Sequence, residues 1–174
     1  MKKDYTILLP DIFPVHMDLI KEIFKMYGYK VEVLHYEGQQ VRDTGLKHLH
    51  NDMCYPAICS LGQLLYALEC GDYDTHKVAL MQFQTGGGCR ASNYIWLLRK
   101  ALKNMDMDYV PVLSLSFGKV EKSPGFKITP MMIIKGIVAV MYGDMIMLLR
   151  NQIKPYEITP GSTDKVVDRW NKEL

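Results

Sequence analysis

The sequence lacks a strong excess of either charge. It has 21 lysine and arginine residues against 19 aspartate and glutamate residues, a formal net charge of +2, and the two signs alternate without a basic run. Nucleic acids attract proteins chiefly through clustered lysine and arginine side chains. The composition therefore argues against a nucleic-acid partner.

The sequence also lacks an export signal. Its first apolar stretch, Ile7–Leu9, is ended at once by Pro10 and Asp11, whereas a signal peptide needs a longer apolar region. We expect a cytoplasmic protein with reduced thiols.

A long uncharged apolar run is missing as well. In the most apolar region, residues 131–149, Lys135 and Asp144 leave only Gly136–Gly143 uncharged, which is too short to cross a bilayer. We expect a pair of buried helices here, with the glycines as weak points, and no membrane contact.

Cysteine is scarce and its spacing fits neither a zinc ribbon nor a redox Cys-x-x-Cys pair. Cys59 and Cys70 lie within and at the end of an amphipathic helical pattern, where buried structural thiols are common. For Cys54 and Cys89 the structural and the chemical interpretations are both open.

What is present is an alternation of short apolar runs and amphipathic stretches. Four runs predict strands: YTILLPD, KVEVLHY, KVALMQFQ and YVPVLSLSFG, the last with a proline that favours an edge position or a late start. Helical spacing follows in VHMDLIKEIFKMYG, from Cys54 onward, after the glycine triplet, and from 130 to 151. This order predicts one α/β domain over residues 1–174, with a Rossmann-like parallel sheet of about four strands, flanking helices and a helical C-terminal segment.

In such a sheet, the loops after the strands and the N-termini of the helices meet at one edge, where ligands bind. We expect the following residues at that edge: Asp11, His16, Cys54, Gln84 to Arg90, Ser114, Ser116 and Phe117.

The stretch QTGGGCR combines chemistry with an accessible backbone. Cys54 at a helix N-terminus is expected to favour its thiolate, the form that ligates metals. Gly86, Gly87 and Gly88 would let a bulky inorganic cluster approach backbone N–H groups, and Arg90 would offset its negative charge. A phosphate or CoA group beside Arg90 is an open alternative, although neither the Walker A nor the Rossmann glycine pattern is present.

The stretches NDMCYPA, GDYD, QTGGGCRASNY, LLRKAL, VPVLSLS and KPYE resemble the C-terminal region of the large proteins related to 2-hydroxyacyl-CoA dehydratase activases, a group akin to the 2-hydroxyglutaryl-CoA dehydratase D-component. The resemblance implies a [4Fe-4S] cluster with Cys54 and Cys89 as metal ligands, and matches neither Cys59 nor Cys70. It also implies that residues 1–174 are a piece of a longer activase-related chain.

The same resemblance implies a setting in anaerobic metabolism. There an ATP-dependent, low-potential reductase or activase passes electrons to a dehydratase partner, with a possible CoA-type substrate.

Three hypotheses follow. The first is an iron–sulfur electron-transfer or reductase module. The second is a noncatalytic docking domain whose 131–149 region packs against the rest of a larger protein. The third is a thiol enzyme with Cys89 as nucleophile and His16 as base.

Overall fold

The computed structural model describes residue 2 and residues 4–115 and 125–173 of the chain. Its strands are β1 (Thr6–Pro10), β2 (Lys30–Leu34), β3 (Val78–Phe83) and β4 (Val112–Leu115). Its α-helices are α1 (Pro14–Met26), α2 (Gln39–His48), α3 (Tyr55–Glu69), α4 (Tyr94–Asn104), α5 (Pro130–Ile153) and α6 (Ser162–Glu173). Short 3-10 helices span Arg90–Asn93 and Lys154–Tyr156.

The chain divides into two compact units. The first comprises residues 1–12 and 28–127, and the second comprises residues 13–27 and 128–174. The prediction of one domain, taken from a longer chain, stays a prediction.

The first unit is built on a parallel sheet with strand order β2-β1-β3-β4. Side chains of the central strands β1 and β3 are buried on both faces, as the near-continuous apolar runs of parallel strands require. Strand β4 begins after Pro111 and lies at an edge, in both respects as the sequence predicts. The predicted α/β, Rossmann-like parallel sheet is confirmed.

Helix α2 lies in a stretch where the sequence analysis predicts no helix. The helix packs on α3 through glycine rather than through an apolar stripe, so its pattern gave no helical signal. A Cβ atom on Gly62 would lie 2.5 Å from the Val41 carbonyl oxygen, and one on Gly45 would lie 2.4 Å from that of Ile58. This close backbone approach holds α3, whose N-cap residue is Cys54.

The second unit consists of α1, α5 and α6. Helix α5 is one unbroken helix and not the predicted buried pair, and among its residues only Met132, Gly143 and Ile146 are buried. Its start is fixed by Thr129, whose Oγ1 accepts a 3.3 Å hydrogen bond from the Met132 N–H. The glycines do not break it, because α1 packs along α5 and compensates for their low helix propensity.

Gly143 is the point where α1 comes closest to α5. The ring of His16 lies against it, and His16 Nε2 is 3.0 Å from Asp144 Oδ1. The imidazole of His16 is buried in this contact.

Among the described residues one helix, Pro130–Tyr156, is long and apolar enough to cross a membrane, with a mean hydropathy of 1.9. Length and composition alone do not separate a spanning helix from a helix covered by protein. The expectations of no membrane contact and of a cytoplasmic location stay predictions.

Gly143→Ala should destabilise the protein by roughly 1–3 kcal/mol, because the new methyl group would lie 2.6 Å from the His16 ring. Gly136→Ala is the matched control on the same helix. Nothing lies within 4 Å of its added Cβ, so this variant should be stabilised by up to about 1 kcal/mol. Urea unfolding of both variants measures the difference, and equal effects would contradict the close approach.

Candidate functional site

The carboxyl edge of the sheet brings the glycine loop and the start of α3 together. The loop follows β3 and is anchored by Gln84, whose N–H donates to the Leu115 carbonyl at 3.0 Å and whose Nε2 donates to the Ser92 carbonyl at 2.6 Å. Across from it, the Arg90 guanidinium donates a hydrogen bond to the backbone carbonyl of Asp52. The segments that carry Cys54 and Cys89 are therefore tied to each other.

Cys54 is the N-cap of α3, as the sequence predicts. Its carbonyl accepts hydrogen bonds from the N–H groups of Ala57 and Ile58, and a 3.3 Å hydrogen bond joins its Sγ to the Tyr94 hydroxyl. The pKa of the Cys54 thiol is lowered, first by the Tyr94 hydrogen bond, against the opposing effect of burial, with smaller help from the Ala57 N–H and the Arg90 charge. The thiolate is favoured mainly by a phenol that sequence reasoning missed.

Cys89 has a more open environment. It is exposed, it caps the 3-10 helix Arg90–Asn93, and its Sγ accepts a 3.5 Å hydrogen bond from the Ala91 N–H. Its own carbonyl accepts from the hydroxyl of Ser92 at 2.7 Å. The loop is held by these local bonds while the sulfur is accessible to solvent.

Tyr94 contacts Cys54, and its pKa responds to both thiols. Its pKa is raised, first by burial, then by the hydrogen bond to Cys54 and by the negative charge that Cys54 and Cys89 carry as thiolates. A neighbouring anion opposes ionisation of a phenol, so both sulfurs lie within electrostatic reach of the same hydroxyl. The sequence analysis predicts a helix after the glycine triplet, but nothing in its apolar spacing distinguishes Tyr94 as a site residue from a core residue.

The glycine triplet faces open space. An added Cβ at Gly86, Gly87 or Gly88 would meet nothing within 4 Å. Gly87 also has a φ of +91°, a backbone conformation that L side chains rarely adopt. The loop thus combines an accessible backbone with a turn that needs glycine, and a Gly87→Val variant would be strained even without a ligand.

The remaining cysteines belong to other networks. Cys70 Sγ lies 3.3 Å from Asp72 Oδ2 and 3.7 Å from the Tyr36 hydroxyl, and a hydrogen bond to Cys59 raises the pKa of Tyr55. Within the residues that the structure describes, no group of three or more histidine, cysteine, aspartate or glutamate side chains could hold a metal ion.

Asp11 follows β1 as predicted but belongs to a separate polar cluster. Its Oδ2 lies 2.9 Å from His35 Nδ1, and its N–H donates to Gln63 Oε1 at 2.7 Å. Ser114 lies in β4, where its hydroxyl donates to Gln84 Oε1 at 3.5 Å. Asp11 and Ser114 thus lie at the carboxyl edge of the sheet, but these hydrogen bonds do not involve the two thiols.

Two other predicted site features have different outcomes. Ser116 and Phe117 lie outside the described residues. His16 has its Nε2 engaged by Asp144 in the second unit, so nothing favours it as the base of a thiol enzyme.

Comparison of the chain with protein-family models, with curated proteins and with solved structures finds no match. No family is shown. The resemblance to activase-related proteins, and what it implies about ligands, cofactor and partners, stays a prediction.

Tyr94→Phe should raise the pKa of the Cys54 thiol, because it removes the hydroxyl that stabilises the thiolate while keeping the buried ring. The pKa is read from the pH profile of Cys54 alkylation, with the labelled residue identified by mass spectrometry. The rate must be measured over the full pH range, because a thiol with a higher pKa is less ionised but gives a more nucleophilic thiolate. A rate at one pH would mix these two opposing effects.

Tyr55→Phe is the control for this experiment. It removes a phenol beside Cys59 and should leave the Cys54 profile unchanged. An unchanged Cys54 profile in Tyr94→Phe would show that the hydrogen bond does not govern the thiol.

Proposed function

We propose that this chain supplies two cysteine ligands, Cys54 and Cys89, to an iron–sulfur cluster used in electron transfer. The observation that carries the proposal is the hydrogen bond from the Arg90 guanidinium, next to Cys89, to the backbone carbonyl of Asp52, two residues before Cys54. Thiolates are the usual ligands of such clusters. The lowered pKa of Cys54 adds to the case, because ligation requires deprotonation.

The two thiols would provide half of the ligands that a [4Fe-4S] cluster needs. A [4Fe-4S] cluster is held by about four cysteine ligands, and the described residues offer two thiols here with no third metal-binding side chain beside them. In this proposal a second copy of the chain supplies the remaining ligands, because it carries the same two thiols. The exposure of Cys89 suits a site that is completed from outside.

The surrounding residues have distinct tasks in this proposal. Arg90 contributes positive charge beside the anionic sulfurs, and the loop at Gly86, Gly87 and Gly88 lets a large ligand reach backbone N–H groups. Tyr94 keeps its proton, because its pKa is raised, and so can act as a permanent hydrogen-bond donor to Cys54. When bound, the cluster supplies one-electron transfer, with a potential that depends on such hydrogen bonds and charges.

The resemblance of the sequence motifs to activase-related proteins is a separate line of support for the same proposal. It suggests a low-potential reductase or activase system, a dehydratase partner and a CoA-type substrate. These finer statements depend on the resemblance alone.

Anaerobic reconstitution with iron and sulfide tests the proposal. The wild-type chain should take up about four iron atoms per two chains and show broad visible absorption, because two copies together bring four thiolates. Cys54→Ser and Cys89→Ser should each lose most of the iron and colour. Iron, sulfide and the spectrum are measured on each protein.

Cys59→Ser and Cys70→Ser are the matched controls and should keep the cluster. A colourless wild-type protein would refute the proposal. Equal losses in all four variants would show adventitious iron bound by accessible thiols.

A second candidate function is the noncatalytic docking domain. It is favoured by one observation, the exposed apolar side chains of α5, which α1 and α6 leave uncovered. A surface of this kind on a folded protein commonly marks an interaction site.

A further inference from the structure

Helix α5 presents an apolar surface that the second unit does not cover. Twelve of its large apolar side chains are each at least 39% exposed. Together they amount to on the order of 1,000 Å² of apolar surface, compared with the roughly 800 Å² that each partner buries in a standard protein interface. Covering most of this surface would give a contact of standard size.

Six of these side chains form a straight stripe, which we name the α5 seam. Its members are Met131, Ile134, Val138, Met141, Met145 and Leu148, each between 47% and 67% exposed. Their spacing alternates between three and four residues, which is the a/d pattern of helices that pack side by side. At 1.5 Å per residue the seam is about 26 Å long.

A membrane-spanning role conflicts with the packing of α1. This helix packs along α5 and carries the ion pairs Lys21–Asp18 and Lys25–Glu22, which would enter the hydrocarbon together with α5. Charged groups at that depth are costly. In addition, the carboxylate of Asp144, 64% exposed beside the seam, would be repelled by anionic lipids.

We propose that the α5 seam pairs with the same seam of a second copy of the chain to form a homodimer. A two-fold interface uses one patch on both subunits, so that patch must be compatible with itself. The seam meets this requirement because none of its six positions is charged, and the alternating spacing lets its side chains interdigitate with an identical helix.

The proposal rests on the docking function and names its partner, and it does not depend on iron binding.

Residues Val166 and Trp170 of α6 are also about half exposed and line an apolar cavity of about 260 Å³ with Ile146, Leu149 and Ile153. This cavity extends the apolar surface at the C-terminal end of α5 and offers room for side chains of the second copy.

Sedimentation velocity of the metal-free chain, with a chelator present and from roughly 1 to 100 µM, tests the proposal. The wild type should be a reversible dimer. Val138→Lys, at the centre of the seam, should weaken dimerisation at least about tenfold, because it places a charge inside an apolar helix contact. Val140→Lys makes the same change two residues away, outside the seam, and should leave the dimer intact.

Ile158→Lys adds a control off the helix, since Ile158 is 99% exposed and lies in the segment before α6. Circular dichroism verifies that each variant is folded. A monomeric wild type would overturn the proposal, and so would equal weakening by Val138→Lys and Val140→Lys.

Flotation with phosphatidylcholine and phosphatidylserine vesicles identifies the competing occupant. A wild type that floats with vesicles and stays monomeric without them would show that lipid covers the seam, against the proposal. Cys54→Ser and Cys89→Ser should dimerise like the wild type, so that failure of the iron–sulfur proposal and failure of this one are separable.

Discussion

The parallel pairing of β3 with β1 and β4 is the constraint on which the candidate site depends. Because Thr6 lies opposite Val78 and Leu80 lies opposite Val112, the strands run the same way and their following loops leave from one edge. Helix α3 must run back across the sheet to reach β3, so its N-terminus comes to that edge too. The segments that carry Cys54 and Cys89, far apart in sequence, come to this edge through connectivity and are joined there by the hydrogen bond from Arg90 to the Asp52 carbonyl.

Within this edge, Tyr94 makes the two thiols chemically unequal. Its hydroxyl is bonded to Cys54, whose pKa it lowers, whereas Cys89 is exposed and has only the backbone of its own loop as a partner. Burial keeps the phenol neutral, so the hydrogen bond persists wherever Cys54 is a thiolate. Under the iron–sulfur proposal, Cys54 is the ligand whose thiolate is already favoured, and Cys89 is the more accessible of the two.

The sheet and the position of Cys54 were predictable because apolar runs, a proline and a helix start are local features of sequence. The prediction failed where tertiary contacts override local pattern. Helix α2 packs through Gly45 rather than an apolar stripe, and α5 continues past Gly143 because the His16 ring occupies the space of the missing side chain. The role of Tyr94 depends on a contact with a residue forty positions away, which no periodicity reveals.

In the second unit, helix α5 is apolar on nearly every side but is only partly covered by its neighbours. Helix α1 packs along α5 with its His16 ring against Gly143, and α6 is held to the end of α5 by the ion pairs of Arg150 and Lys154 with Asp164, each 2.8 Å long. Neither neighbour reaches the opposite side. Leaving such a surface in water forfeits about 25 cal/mol for each Å², so covering it would stabilise the protein. Under the homodimer proposal a second copy provides the cover, because the three-and-four spacing of the seam suits packing against an identical helix.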